Sequence, residues 1–238
     1  MNWSQIFTSS VGKKIVMGIT GLFLISFLVV HMGVNACIFK DAFVPEDNGD
    51  MFNRAADFMG RTVVIRIMEV VLFLGFFVHI IQGFMLEFQN RSKRAKGYEV
   101  NLGSRGSKWY SRSMGLLGTL LFLFLILHWW HFWIPSRFTS EGISPVEMSN
   151  HREAHNMFAL MQATFSEWWV VIVYVLGCIS LAWHLAHGFQ SAFRTLGVHN
   201  KRYLSFLNAV GIGFSVIVPL IFALMPLAFK LGWIGGPL

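Results

Sequence analysis

Charge is scarce in this chain. Only 13% of its 238 residues are Asp, Glu, Lys or Arg, against about 25% in a soluble domain. That is too little to solvate a globular surface. Cysteine is nearly absent as well. Cys37 and Cys178 are the two present, and they form no CxxC, which excludes a zinc ribbon. The lack of CxxCH excludes covalent c-type haem attachment. No GxGxxG or Walker loop occurs, so no nucleotide signature is present. The stretches between apolar runs are too short for a separate soluble domain, and residues 1–238 read as one transmembrane domain.

What the chain has instead is long hydrophobic runs. Apolar residues make up 55% of it, and its mean hydropathy is +0.56. Five segments are long enough to cross a hydrocarbon core, which takes roughly 20 helical residues. They run over about 15–39, 62–88, 114–134, 168–193 and 203–231. Lipid offers the backbone no hydrogen-bond partner, so each span is expected to be helical. No strand pattern competes. The first run is too long for a signal-peptide core and lacks a small-x-small cleavage site, so it reads as a retained span. The expected fold class is an all-α integral membrane protein, a bundle of five transmembrane helices.

The net charge is +7 and the pI about 9.7. Loop bias explains this excess without a nucleic-acid partner, because loops on the cytoplasmic side collect Lys and Arg. Lys13 and Lys14 precede the first span. Arg91, Lys93, Arg94, Lys96, Arg105, Lys108 and Arg112 lie between the second and third, and Arg194, Lys201 and Arg202 between the fourth and fifth. The intervening segment 40–61 is instead rich in Asp and Glu. This pattern places the N-terminus in the cytoplasm and the C-terminus in the periplasm. Trp129, Trp130, Trp133, Trp168 and Trp169 fall where an outer aromatic belt is expected.

Four of nine histidines fall within spans one to four, one in each: His31, His79, His128 and His184. An ionisable group inside a span is expensive to keep and marks function by default. His31 lies about 16 residues into an outward-running span and His128 about 14 into another, so both sit roughly 21–24 Å from the inner face. His79 and His184 are about 16 residues into inward-running spans, toward the inner face. The depths therefore match in two pairs. Neutral imidazole is a good haem ligand, and two imidazoles from facing helices fill both axial positions and leave an electron carrier. For any one histidine the alternative is polar packing between helices. His187, one turn beyond His184, competes with it as ligand, and His131 is one turn beyond His128. Gly83 and Gly188 follow His79 and His184 by four residues, and Gly33 follows His31 by two. Glycines there either make room for a flat porphyrin or let helices pack closely.

The run Ser9-Ser10-Val11-Gly12-Lys13-Lys14, with Met17-Gly18-Ile19-Thr20-Gly21-Leu22 before His31, resembles the membrane cytochrome b subunit of succinate dehydrogenase and fumarate reductase, in its single-chain di-haem form. Further matches are His79-Ile80-Ile81-Gln82-Gly83, Ser111-Arg112-Ser113-Met114, His128 with Phe132-Trp133, and His184-Leu185-Ala186-His187-Gly188-Phe189. They span essentially the whole chain. The resemblance implies two haem b groups, one between His31 and His128 (distal) and one between His79 and His184 (proximal). It implies a flavoprotein and an iron–sulfur subunit on the cytoplasmic face of a bacterial inner membrane, and electron exchange with a quinone, usually menaquinone. Succinate and fumarate chemistry belongs to the flavoprotein. Some members of that family carry a glutamate two residues before the fourth ligand. Here that position is Ala182, so the proton route linked to that glutamate does not transfer.

Quinone chemistry also needs a proton route. Glu69, about 10 residues before His79 and so roughly 15 Å nearer the outer face, is the candidate, with a structural pair to Arg66 at i,i+3 as the alternative. Candidate partners for haem propionates are Lys14, Arg112 and Ser113 at the inner ends of their helices and Arg61 and Arg66 near the outer end of the second. Each also reads as a snorkelling flank residue. Two other functions fit intramembrane histidines: a cytochrome b of another respiratory enzyme such as a hydrogenase or formate dehydrogenase, and a transporter or proton channel with a histidine relay.

Overall fold

The computed structural model describes residues 9–92 and 109–236. The basic residues Lys93, Arg94, Lys96, Arg105 and Lys108 lie outside them. The structure is 82% helical. In chain order the helices are α1 (Ser10–Ala36), α2 (Asp50–Arg61), α3 (Val63–Ser92), α4 (Trp109–Arg112), α5 (Met114–His128), α6 (Met157–Thr164), α7 (Trp168–Thr195) and α8 (Lys201–Lys230). Five helical segments are long and apolar enough to cross a membrane: Ser10–Ala42, Val63–Ser92, Met114–Thr139, Trp168–Thr195 and Lys201–Lys230. The protein is thus a multi-pass membrane protein by the length and composition of its helices.

Local chemistry sets the ends of these helices. Ser9 Oγ accepts from the Gly12 N–H at 3.0 Å, which satisfies one of the free donors of the first turn of α1. The first span continues past α1 as a 3-10 turn, Cys37–Ala42. Thr62 stops α2 with an extended backbone, and α3 starts immediately after it. The third span does not end at 134. After His128 it widens into two π turns, Trp129–Trp133 and Pro135–Thr139. Pro135 has no N–H to continue an α-helical ladder. Ile134 N–H bonds the carbonyl of Trp129 and Ser140 N–H that of Pro135, five residues back in each case.

The segments between spans are more ordered than their composition implied. Residues 145–147 and 153–155 form a short antiparallel pair, with Val146 opposite Ala154. That pair is too short to leave a periodic signal. α2 docks on α6 through Asn53, which is 1% exposed. Its Oδ1 accepts from Phe158 N–H at 3.0 Å and its Nδ2 donates to Asn156 Oδ1 at 3.1 Å. Gly49, at φ +74°, turns the chain into α2, and a Cβ there would sit 2.2 Å from the Phe158 ring. Only glycine fits both the left-handed backbone and that contact.

The chain forms two compact units. One comprises the described parts of Met1–Phe27, Val71–Phe122 and Ser180–Val216 and contains His79 and His184. In it α1 and α7 approach at Gly18, where a Cβ would lie 3.6 Å from the Ala192 carbonyl oxygen. Ser180 Oγ donates to the Leu117 carbonyl at 3.2 Å and so ties α7 to α5. The other unit comprises the described parts of Leu28–Val70, Leu123–Ile179 and Ile217–Leu238 and contains His31 and His128. Its core gathers Ile38, Phe52, Phe158, Phe165, Val171 and Phe229.

Two outcomes follow for this second unit. Gly49→Ala is expected to lower the thermal midpoint of the purified protein by several degrees, read by intrinsic fluorescence. An unchanged midpoint would show that the 49–53 turn does not hold the unit. Asp50 accepts from the N–H and the hydroxyl of Ser149 at 2.8 and 2.7 Å. Burial pushes its pKa up, but the two Ser149 bonds and the charges of Arg54 and Lys40 outweigh it and hold it below the usual value. A lowered folded pKa gives stability that is complete above the unfolded pKa of about 4 and is lost as pH falls through the folded one. Acid unfolding below about pH 4 should therefore be less steep in Asp50→Asn than in the parent chain.

Candidate functional site

Each unit brings together one pair of the intramembrane histidines. In the first, the rings of His79 and His184 have centres 6.3 Å apart and planes at 66°. In the second, His31 and His128 lie 5.8 Å apart at 89°. Metal–imidazole bonds are about 2 Å long, so two imidazoles on opposite sides of one metal have ring centres roughly 6 Å apart. Both pairs have that spacing. Among the described residues no group of three or more His, Cys, Asp and Glu side chains converges. The donor sets are pairs of neutral nitrogens, which suits two axial positions rather than a tetrahedral zinc site.

The second ring nitrogens tell the histidines apart. Thr20 Oγ1 spends its single proton on the Val16 carbonyl, at 2.7 Å. It can then only accept from His79 Nδ1, 3.1 Å away. That fixes the His79 proton on Nδ1 and leaves the Nε2 lone pair for a metal. Asn35 Nδ2 donates to the His31 carbonyl at 2.8 Å and faces His31 Nδ1 at 3.3 Å. A donor at Nδ1 puts the proton of a metal-free His31 on Nε2, and ligation would move it. The Nδ1 atoms of His128 and His184 are buried with no hydrogen-bond partner. Such orphaned atoms cost about 1–3 kcal/mol each, and a metal at Nε2 would leave them unpartnered.

The glycines of the membrane-spanning helices divide into two sorts. At Gly75, Gly177 and Gly211 a Cβ would come within 3.0 Å of Phe23, Phe124 and Phe189 respectively, so these glycines allow close packing. At Gly33 and Gly188 a Cβ would meet nothing within 4 Å, and at Gly83 its nearest neighbour would be Met17 Cε at 3.8 Å. Close helix contact does not account for these three. The glycines that face the histidine rings are Gly21 and Gly118, where a Cβ would lie 3.5 Å from His79 Cε1 and 3.9 Å from His184 Cε1.

The ring surroundings of the 31/128 pair include residues the sequence did not single out. Phe124 stacks on His128 at 5.8 Å and 25°. Phe222 lies 5.5 Å from His31. Tyr174 is buried and its hydroxyl is 3.0 Å from His131 Nδ1, with the two rings nearly parallel at 11°. Phe222 comes from the fifth span, which has no histidine inside it and so carried no signal. Tyr174 was hidden in an all-apolar run.

The polar candidates separate as follows. Glu69 accepts from Trp133 Nε1 at 2.5 Å and Arg137 Nε at 3.1 Å, and Arg66 pairs with it at 3.3 Å. The i,i+3 pair is present, and it is part of a larger network linking the second and third spans. Oε1 accepts from two donors and Oε2 from one, so Oε2 keeps an acceptor position for a proton. Arg61 is occupied by the Asp57 carboxylate and, at 2.9 Å, by the Glu153 carbonyl. Arg112, at the end of α4, is exposed, and half-buried Ser113 joins α4 to α5 through its backbone. Both belong to the unit of the 79/184 pair. Lys14 and His187 share a groove on that same unit, while His184 is the residue that faces His79.

Comparison with protein-family models, with curated proteins and with solved structures gave no match. The functional reading therefore rests on the residues and their geometry.

Replacing Glu69 by Gln keeps an acceptor for Trp133 and removes the charge that faces Arg66 and Arg137. A loss of about 1–3 kcal/mol is expected in denaturant or thermal unfolding. Unchanged stability would leave the network without structural weight.

Proposed function

We propose that this chain is the membrane-anchoring di-haem cytochrome b of a succinate:quinone oxidoreductase or quinol:fumarate reductase. The observation that supports the proposal is the presence of two separate histidine pairs, with ring centres 5.8 and 6.3 Å apart, the spacing that two imidazoles need to share one metal. The residues named in the resemblance supply the choice among cytochromes b.

On this reading His31 and His128 hold the distal haem and His79 and His184 the proximal one. A bis-imidazole haem b, when bound, supplies reversible one-electron transfer with no open coordination site. The chain's own residues do the rest. Thr20 holds His79 in the tautomer that presents Nε2. Arg112 and Ser113 are the proposed propionate partners on the proximal side, and Arg66 on the distal side. Phe124, Phe222 and Phe132 keep water from the distal pair. Glu69 remains the proposed proton-handling group for quinone. Glu69→Gln with unchanged quinone turnover would assign it to the Arg137 network alone.

Orientation follows from the loop charges, with the N-terminus in the cytoplasm and the C-terminus in the periplasm of a bacterial inner membrane. The proximal haem then faces a flavoprotein and an iron–sulfur subunit on the cytoplasmic side. The distal haem faces the outer leaflet, where menaquinone is the proposed substrate. The enzyme's succinate chemistry lies in the flavoprotein, and this subunit is its link to the quinone.

Purified protein is expected to show a reduced α-band near the b-type position, and to bring down a flavoprotein and an iron–sulfur protein. His31→Ala or His128→Ala should remove one spectral component and His79→Ala or His184→Ala the other, while His187→Ala keeps both. A histidine-relay transporter predicts no α-band at all. An α-band that survives all four substitutions would defeat the ligand assignment.

A further inference from the structure

A groove of about 360 Å³ opens between the first turns of α1 and the last turns of α7. Its α1 wall is Val11, Lys14 and Ile15, and its α7 wall includes His187, Ser191 and Arg194. These residues recur every three or four positions, so each wall is one helix face. The two helices approach at Gly18 and Ala192, which sets the groove's width. Lys14 and Arg194 are exposed and form no ion pair among the described residues, and no carboxylate lines the groove. The larger cavity, of about 750 Å³ in the other unit, offers a contrast. Its cations are matched: Lys40 with Asp47 at 2.6 Å, Arg54 with Asp50 at 3.9 Å, and Arg61 with Asp57. Among the described residues no carboxylate pairs with the cations of the smaller groove, which lies where two apolar spans end.

We infer that this groove is a binding site for the phosphate of an anionic phospholipid, whose acyl chain lies along Val11 and Ile15. The charge pattern calls for an anion. The apolar side chains on the same wall, Val11 being 63% exposed, call for one that carries a hydrocarbon tail. Basic pockets between transmembrane helices at the membrane interface are a recurrent way of holding acidic headgroups. Lys14 supplies a mobile point charge, Arg194 a planar fork of donors, and Ser191 a hydroxyl, which together suit a phosphodiester. This assignment needs the spans to cross a bilayer and does not need the haem reading.

The test is native mass spectrometry of the full chain, with whatever subunits co-purify, released from nanodiscs that contain phosphatidylglycerol and phosphatidylcholine in equal amounts. The expected result is retained phosphatidylglycerol, with a preference that falls roughly 10- to 30-fold in Lys14→Gln/Arg194→Gln. The charge-keeping Lys14→Arg/Arg194→Lys variant should hold the lipid, which separates loss of charge from loss of fold. Equal retention of phosphatidylglycerol by the Gln variant would overturn the proposal. So would displacement of the lipid by millimolar inorganic phosphate alone, which would make the site one for a free anion. Loss of the visible absorption band in the Gln variant with lipid retention intact would also overturn it, by assigning the groove to haem propionates.

Discussion

An imidazole in the middle of a transmembrane helix has no water to satisfy it. Each ring nitrogen needs a partner from the protein or from something the protein holds. That constraint organises the polar interior of this molecule. Four such rings are met in two pairs, and within each pair one Nδ1 has a protein neighbour while the other has none.

The glycines carry the same logic into the backbone. In lipid, small residues ordinarily mark places where helices touch, and Gly75, Gly177 and Gly211 do so against aromatic rings. Gly33 and Gly188 do not. A glycine lowers helix propensity by about 1 kcal/mol relative to alanine, and at these positions, as at Gly213, a Cβ would meet nothing within 4 Å among the described residues.

Much of this was legible in the sequence because the bilayer imposes strong periodic constraints. Five apolar runs became five spans, and residue depth alone matched His31 with His128 and His79 with His184, the partners the structure sets side by side. Which of His184 and His187 faces His79 was not legible. The two are one turn apart on the same helix face, and only the rotation of α7 against its neighbours puts His184 opposite His79. The ordered connections were also hidden. Asn53 reads as an ordinary polar loop residue until the Phe158 backbone it caps is in place. The π-helical end of the third span had a visible cause in Pro135, but its extent depends on the tertiary position of the Glu69–Trp133–Arg137 network. Tyr174 and Phe222 gave no signal, since aromatics in apolar runs are unremarkable until a histidine ring lies against them.

The pairing of histidines across each unit is the claim on which the rest depends, and the number of haems bound by the chain tests it most directly. A pyridine haemochrome assay on the purified protein, with polypeptide quantified by amino-acid analysis, should give two b-type haems per chain. A ratio of one, or no haem in protein expressed with ample haem supply, would contradict the account.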